Sequence, residues 1–131
     1  MTTALTPALA LDYVRELSAD IVAGAVLDAR GARLAGDERL AEASRGLPDA
    51  ALIHGATEQG QVFAARDEIH SIVVVTGPFA LVRVTRHDLL TALSALGGQT
   101  RPKGPETALP EAVTRGLLSA AHEAFRRPRA V

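Results

Sequence analysis

The sequence contains no cysteine and no tryptophan, one tyrosine, three phenylalanines and a single lysine, Lys103. Without thiols there are no disulfides, no cysteine nucleophiles, no iron–sulfur clusters and no zinc site that needs a cysteine ligand. A reducing compartment is therefore permitted. So few aromatic rings, with a formal net charge of −1, leave neither stacking platforms nor a positive field for a nucleic acid. No apolar run reaches the ~18 residues that a membrane span requires. Met1 to Thr6 has neither the basic flank nor the apolar stretch of a secretory signal. These absences predict a cytoplasmic protein with no nucleic-acid partner and no membrane partner. One lysine among abundant alanines fits GC-rich codons and suggests a bacterial source, which says nothing of function.

What is present is a chain of 131 residues, 47% apolar and 22% charged, the balance of one compact domain. A chain of this size buries about two thirds of its unfolded surface and can build a core without staples. Thr6 before Pro7 is a helix start, and Ala10, Tyr13, Val14 and Leu17 fall on one stripe, predicting a helix over 7–18. Ile21 to Leu27 is continuously apolar, so a strand there needs cover on both faces. Asp28 and Gly31 bracket a turn into a weaker strand, Ala32 to Ala35, read as an edge. Asp37 caps a short helix with Leu40, Ala43, Ser44 and Leu47 on one stripe, stopped by Gly46 and Pro48.

Ala50 to Thr57 and Gln61 to Asp67 form a second hairpin around Glu58-Gln59-Gly60, with Leu52 and His54 on one face and Ile53 on the other. Ser71 to Thr76 carries four β-branched apolar residues in succession and is read as the central strand. Phe79 to Leu96 is ambiguous at its start: 80–85 alternates as a strand would, whereas Phe79, Val82, Leu89, Leu90, Leu93 and Leu96 fit a helical stripe. From Arg86 onward helix prevails. Residues 97–109 carry Gly, Pro and charge without periodicity and read as a linker. A last amphipathic helix over 110–126 has Val113, Leu117, Ala121, Ala124 and Phe125 on its stripe, and 127–131 is a basic tail.

The order helix, hairpin, short helix, three strands, helix resembles the roadblock family, the dynein light-chain roadblock type of domain. The resemblance covers Ala8 to Leu96. It is carried by Ile21-Val22-Ala23-Gly24-Ala25-Val26-Leu27 with its Asp28/Gly31 turn, and by the block from Leu52-Ile53-His54-Gly55 through Gln61-Val62-Phe63-Ala64-Ala65-Arg66 to Ile72-Val73-Val74-Val75. These are patterns of strand and turn, not signature residues. The resemblance implies an α/β (α+β) domain over 7–96 of roadblock/profilin-like type. Its five-stranded antiparallel sheet would have the first and last helices on one face and the middle helix on the other, where two subunits meet. It places Leu40, Ala43, Leu47, Leu52 and His54 at that homodimer contact and implies association with a Ras-like small GTPase, as signalling scaffold or regulator of its nucleotide cycle. Two features depart from the family: the middle helix is short, and the segment 97–131 lies outside its core. The added C-terminal helix packs either on its own molecule or dimer mate, or serves as a detachable helix for another protein. Removing 98–131 is expected to leave a folded domain.

The search for chemistry finds no catalytic, cofactor-binding or metal-ligating set. His54, His70, His87 and His122 have no helical metal-ligand spacing, and no phosphate-binding glycine loop or G-x-S-x-G elbow occurs. The expected function is thus non-enzymatic interaction without a cofactor. His54 is singled out as a protonatable ring near a two-fold axis, and Arg83 and Arg86 as contacts for a partner. The competing reading is a small-molecule-sensing or purely structural dimerisation domain, against which few aromatic and convergent polar side chains count.

Overall fold

The computed structural model describes residues 5–48, 50–97 and 106–126, with side chains described as far as Ala121. Helix α1 spans Pro7–Leu17, and the Thr6 hydroxyl accepts from the Leu9 amide at 3.2 Å, satisfying an N-terminal donor. Its inward residues are Ala10, Leu11 and Val14, while Tyr13 and Leu17 of the expected stripe stay exposed. Strand β1, Ile21–Asp28, turns into β2, Arg33–Gly36, through a loop organised by one carboxylate. Asp28 Oδ1 accepts the amides of Arg30 and Ala32, and Gly31 takes φ +87°, a conformation with no Cβ penalty only for glycine.

Helix α2, Glu38–Ser44, has only seven residues, capped by Asp37, whose Oδ1 accepts the Leu40 amide. Strands β3, Leu52–Ala56, β4, Gln61–Arg66, and β5, His70–Thr76, follow as an antiparallel meander. Helix α3 is Val82–Ala95, which settles the ambiguous start: 82–85 is helical and Phe79 lies in the turn before it, outside the stripe. The turn is held by the Gln61 side chain, whose Nε2 donates to the Pro78 and Ala80 carbonyls.

One expectation is corrected. The sheet has six strands, in the order β2-β1-β5-β4-β3-β6, because Thr107–Ala108, at the end of the stretch read as linker, forms β6 beside β3. The pairing is parallel, Ile53 with Thr107 and His54 with Ala108, and the Leu109 amide donates to the His54 carbonyl at 2.9 Å. Two residues carry no hydrophobic period, so β6 exists only because β3 offers it an open edge. β2 is an edge and β5 lies inside the sheet, as their patterns predict. Residues 98–105 of the expected linker and the tail 127–131 lie outside the described residues.

Helix α4, Glu111–Arg126, runs back over the sheet. Two cores result, one on each face. Beneath α1 and α3, Phe63, Ile72 and Val74 meet Leu11, Val14, Leu89 and Leu93. Beneath α2 and α4, Ala23, Ala25, Val62, Ala64, Val73 and Val75 meet Leu40, Ala41, Leu117, Leu118 and Ala121. The added helix therefore packs on its own molecule. Its buried face is Thr114, Leu117, Leu118 and Ala121, whereas Val113 is exposed; the side chains of Ala124 and Phe125 are outside the described residues. Gly55 permits this approach, because a Cβ there would run into Thr114 Oγ1 and lie 3.0 Å from Leu109 Cβ. No described helix is long and apolar enough to cross a membrane.

Candidate functional site

The turn between β5 and α3 is built from strand register and one buried amide. Gln61 opens β4 and lies opposite Thr76, where β5 ends. Its side chain is buried, and its Nε2 donates to the carbonyls of Pro78, at 3.1 Å, and Ala80, at 3.0 Å. Those two bonds fix the amide's orientation, leaving Oε1 to accept from His54 Nε2 at 2.7 Å. The Gly77 amide donates to the Asp20 carbonyl, holding the other side of the turn. The loop is thus pinned with Ala80 inward and its neighbours outward. Phe79 is 89% exposed, Leu81 67% and Val84 48%. Side chains on a loop held this rigidly present an apolar surface at little further entropic cost.

His54 connects this shelf to the C-terminal segment. Its ring stands 4.7 Å from that of Phe63, its cross-strand partner, with the planes tilted by 31°. Nδ1 lies 3.7 Å from Glu106 Oε1, an ion pair whenever the ring carries both protons. The other Glu106 oxygen accepts from Arg86 Nη2 of α3. A polar chain therefore runs from α3 through Glu106 and His54 to Gln61, and it ties the start of β6 to the shelf.

The expected site residues are dispersed. Leu40 is buried beneath α4, Leu47 packs at the margin of the same core, and Ala43 is exposed. Leu52 and His54 belong to the opposite face, Leu52 against the α1/α3 core and His54 against Phe63. The five residues assigned to a dimer contact are thus not brought together on one surface of the single chain. Arg83 is exposed on the first turn of α3, between Leu81 and Val84, whereas Arg86 is engaged by Glu106.

Gln61, Phe79, Leu81, Val84 and Glu106 were not singled out by the sequence. The Gly77-Pro78 step was the available signal for the turn; nothing marked Glu106, which acquires its partners only through β6. Among the described residues no three His, Asp or Glu side chains gather as metal ligands would.

No protein-family model matches the sequence, and no curated protein matches it. Among solved structures it is similar to the Roadblock/LC7 domain from Streptomyces avermitillis, at 19% identity and a TM-score of 0.59. That likeness covers 66% of this chain and 93% of the other, so nearly the whole of that domain finds a counterpart here while a third of this chain lies beyond it. With the helix-and-strand order and the six-stranded sheet already in view, the chain has a roadblock-type fold, its second sheet face covered by α2 and α4.

Proposed function

We propose that the protein is a non-enzymatic interaction module whose docking face is the shelf Phe79, Leu81, Val84 and Arg83. The observation that carries this reading is Phe79, an aromatic side chain almost wholly in solvent on a loop that buried hydrogen bonds hold still. Exposed apolar groups rimmed by charge mark protein contacts, and rigid aromatics supply much of their energy. The partner class comes from the roadblock-type fold: a Ras-like small GTPase, held as scaffold or modulated in its nucleotide cycle. An activator needs no arginine finger of its own if it orders the GTPase's catalytic groups.

Self-association is the second part of the proposal, and the single chain constrains it. The β3 edge is paired with β6, and the inner face of α2 is packed against α4. A homodimer through β3 and α2 requires β6 and α4 to give way; a homodimer that retains them must use another face.

The test is a pull-down of tagged protein from lysate of its source with GDP or a non-hydrolysable GTP analogue, repeated with Phe79→Ser and Leu81→Ser. One small GTPase, enriched in one nucleotide state and lost at least about tenfold in the variants, is expected. Absence of any GTPase in both states, or capture indifferent to both substitutions, sinks the reading. Light scattering on the same samples reports self-association, since one chain weighs 13.7 kDa.

A further inference from the structure

A cleft of about 480 Å³ enters the α2/α4 face between the β1–β2 turn and the C-terminal end of α2. Register sets its floor. Leu27 pairs with Ser71 and Ser71 with Arg66, so these three side chains leave the sheet on one face in one row. The row behind it is Val73, Ala64 and Ile53. Leu47 and Ala50, from the segment after α2, wall the cleft above them. The interior is apolar and small-sided, and the polar groups lie at its outer end.

Two of those polar groups are placed for a ligand. Ser71 is only 8% exposed, and its hydroxyl, without a hydrogen bond among the described residues, is not sealed from solvent. A hydroxyl in that position has both a donor and an acceptor to offer a ligand in the cleft. Arg45, at the mouth, donates from Nε to the Gly31 carbonyl at 2.9 Å, which fixes its guanidinium across the opening. Its two terminal nitrogens have no partner among the described residues. A guanidinium held in this way is a preorganised fork for a carboxylate.

The remaining charges narrow the ligand class. Arg30 also stands on the rim, and Arg66 already has a partner of its own. Facing them are Asp28, Asp67 and Glu68. Asp28 Oδ1 accepts the Arg30 and Ala32 amides, and Asp67 Oδ1 accepts those of Ile69 and His70, so these carboxylates are held by their own turns. Among the described residues, three arginines and three acids line the mouth, and their formal charges cancel. A multiply charged anion gains nothing from such a mouth, and a cation meets the Arg45 fork. A single carboxylate carried by an apolar body matches the Arg45 fork at the mouth and the apolar floor behind it.

We propose that this cleft binds a small monocarboxylate with an apolar body, the carboxylate on Arg45 and Ser71 Oγ and the body on Ala64, Val73 and Leu47. The volume is within the range of metabolite-sized sites. Such a site is distinct from the docking shelf, which lies at the start of α3.

The test is titration of the full chain, followed by amide chemical shifts, with three probes. These are octanoate, octan-1-ol as the same body without charge, and inorganic phosphate as an anion without a body. Octanoate is expected to give saturable shifts at Gly31, Arg45 and Ser71, octanol to bind at least about tenfold more weakly, and phosphate to leave those amides unmoved. Arg45→Gln, an exposed change that should not disturb folding, is expected to weaken octanoate by about tenfold, and Ser71→Ala by less. Non-saturating octanoate, shifts that map elsewhere, equal binding of octanol, or unchanged affinity in Arg45→Gln would each overturn the proposal.

Discussion

The two faces of one sheet are closed in different ways. On the α1/α3 face, both covering helices belong to the contiguous domain, and large side chains, Phe63, Leu89 and Leu93, fill the space between helix and sheet. The Leu5 amide donates to the Ala95 carbonyl and fastens the start of α1 to the end of α3. On the α2/α4 face, the local cover is a helix of seven residues, and the sheet presents mostly small side chains, Ala23, Ala25 and Ala64 among them. The rest of the cover arrives late in the chain, as β6 and α4. Where neither helix reaches, a cleft remains. A short helix over small residues cannot exclude water from a whole sheet face, so closure passes to a distant segment, and the gap it leaves becomes space for a ligand.

The comparison can be broken first at its stronger half. Val74 is fully buried among α1, α3 and the strands on either side of β5. Val74→Asp puts an unpaired charge there and is expected to cost more than about 4 kcal/mol, most of the reserve of a marginally stable domain. Soluble expression with cooperative unfolding would show that this face is not the indispensable one.

Truncation after Gly97 tests the weaker half. It uncovers Ile53, Val62, Val73 and Val75 and forfeits the burial of Leu109, Leu117 and Leu118, on the order of 5 kcal/mol. The expectation is a chain that binds an apolar dye and loses hydrogen-exchange protection at β3, while α1, α3 and β5 stay protected. Uniform loss of protection would mean that the two faces fold as one unit. A truncated domain as stable as the full chain would return α4 to the status of an appendage.

Gly55→Ala sharpens the same point at one atom. The new methyl collides with Thr114, so a loss of about 1–3 kcal/mol is expected by chemical denaturation. In the truncated chain the substitution should cost far less, since the clashing helix is gone. Equal cost in both backgrounds would place the strain within the sheet.

The smallest effect concerns the turn at the cleft mouth. The amides of Ala32 and then Arg30 hold the Asp28 carboxyl below its ordinary value of 3.8. Its folded-state value is lowered, so its contribution is present above the unfolded value and disappears as pH falls through the folded one. Asp28→Asn should therefore lower stability slightly at neutrality and converge with the parent as pH falls through the folded value, which flattens the acid limb of the stability profile. A variant with an unchanged acid limb would show that the turn does not depend on the charge.

Legibility in the sequence followed the range of the interactions. The turn at Asp28–Gly31, the caps at Thr6 and Asp37 and the buried strand Ile72–Val75 rest on contacts within a few residues, or on unbroken apolar runs, and all were readable. Leu40 and Leu52 were readable as apolar, but the pleat of β3 turns Leu52 toward α1 and α3, whereas Leu40 of α2 lies over the other face. The α1 stripe was misread by rotation: Leu11 took the inward position expected of Tyr13 and Leu17, because the packing surface beneath the helix chose among several apolar residues. The polar chain Arg86–Glu106–His54–Gln61 was invisible, since its members span β3, β4, α3 and the residue before β6.

By itself, then, the sequence determined a cysteine-free single domain, the order of its principal helices and strands, the edge position of β2, the interior position of β5 and the resemblance to a roadblock-type fold. These follow from local hydrogen bonding and hydrophobic period, which neighbouring residues dictate. Only the tertiary structure decided that a sixth strand occupies the β3 edge, that α4 closes the second face, that Phe79 stands in solvent and that Ser71 and Arg45 meet at one cleft. Each of these depends on segments separated by tens of residues arriving at the same place, and that is fixed by the packing of the whole sheet.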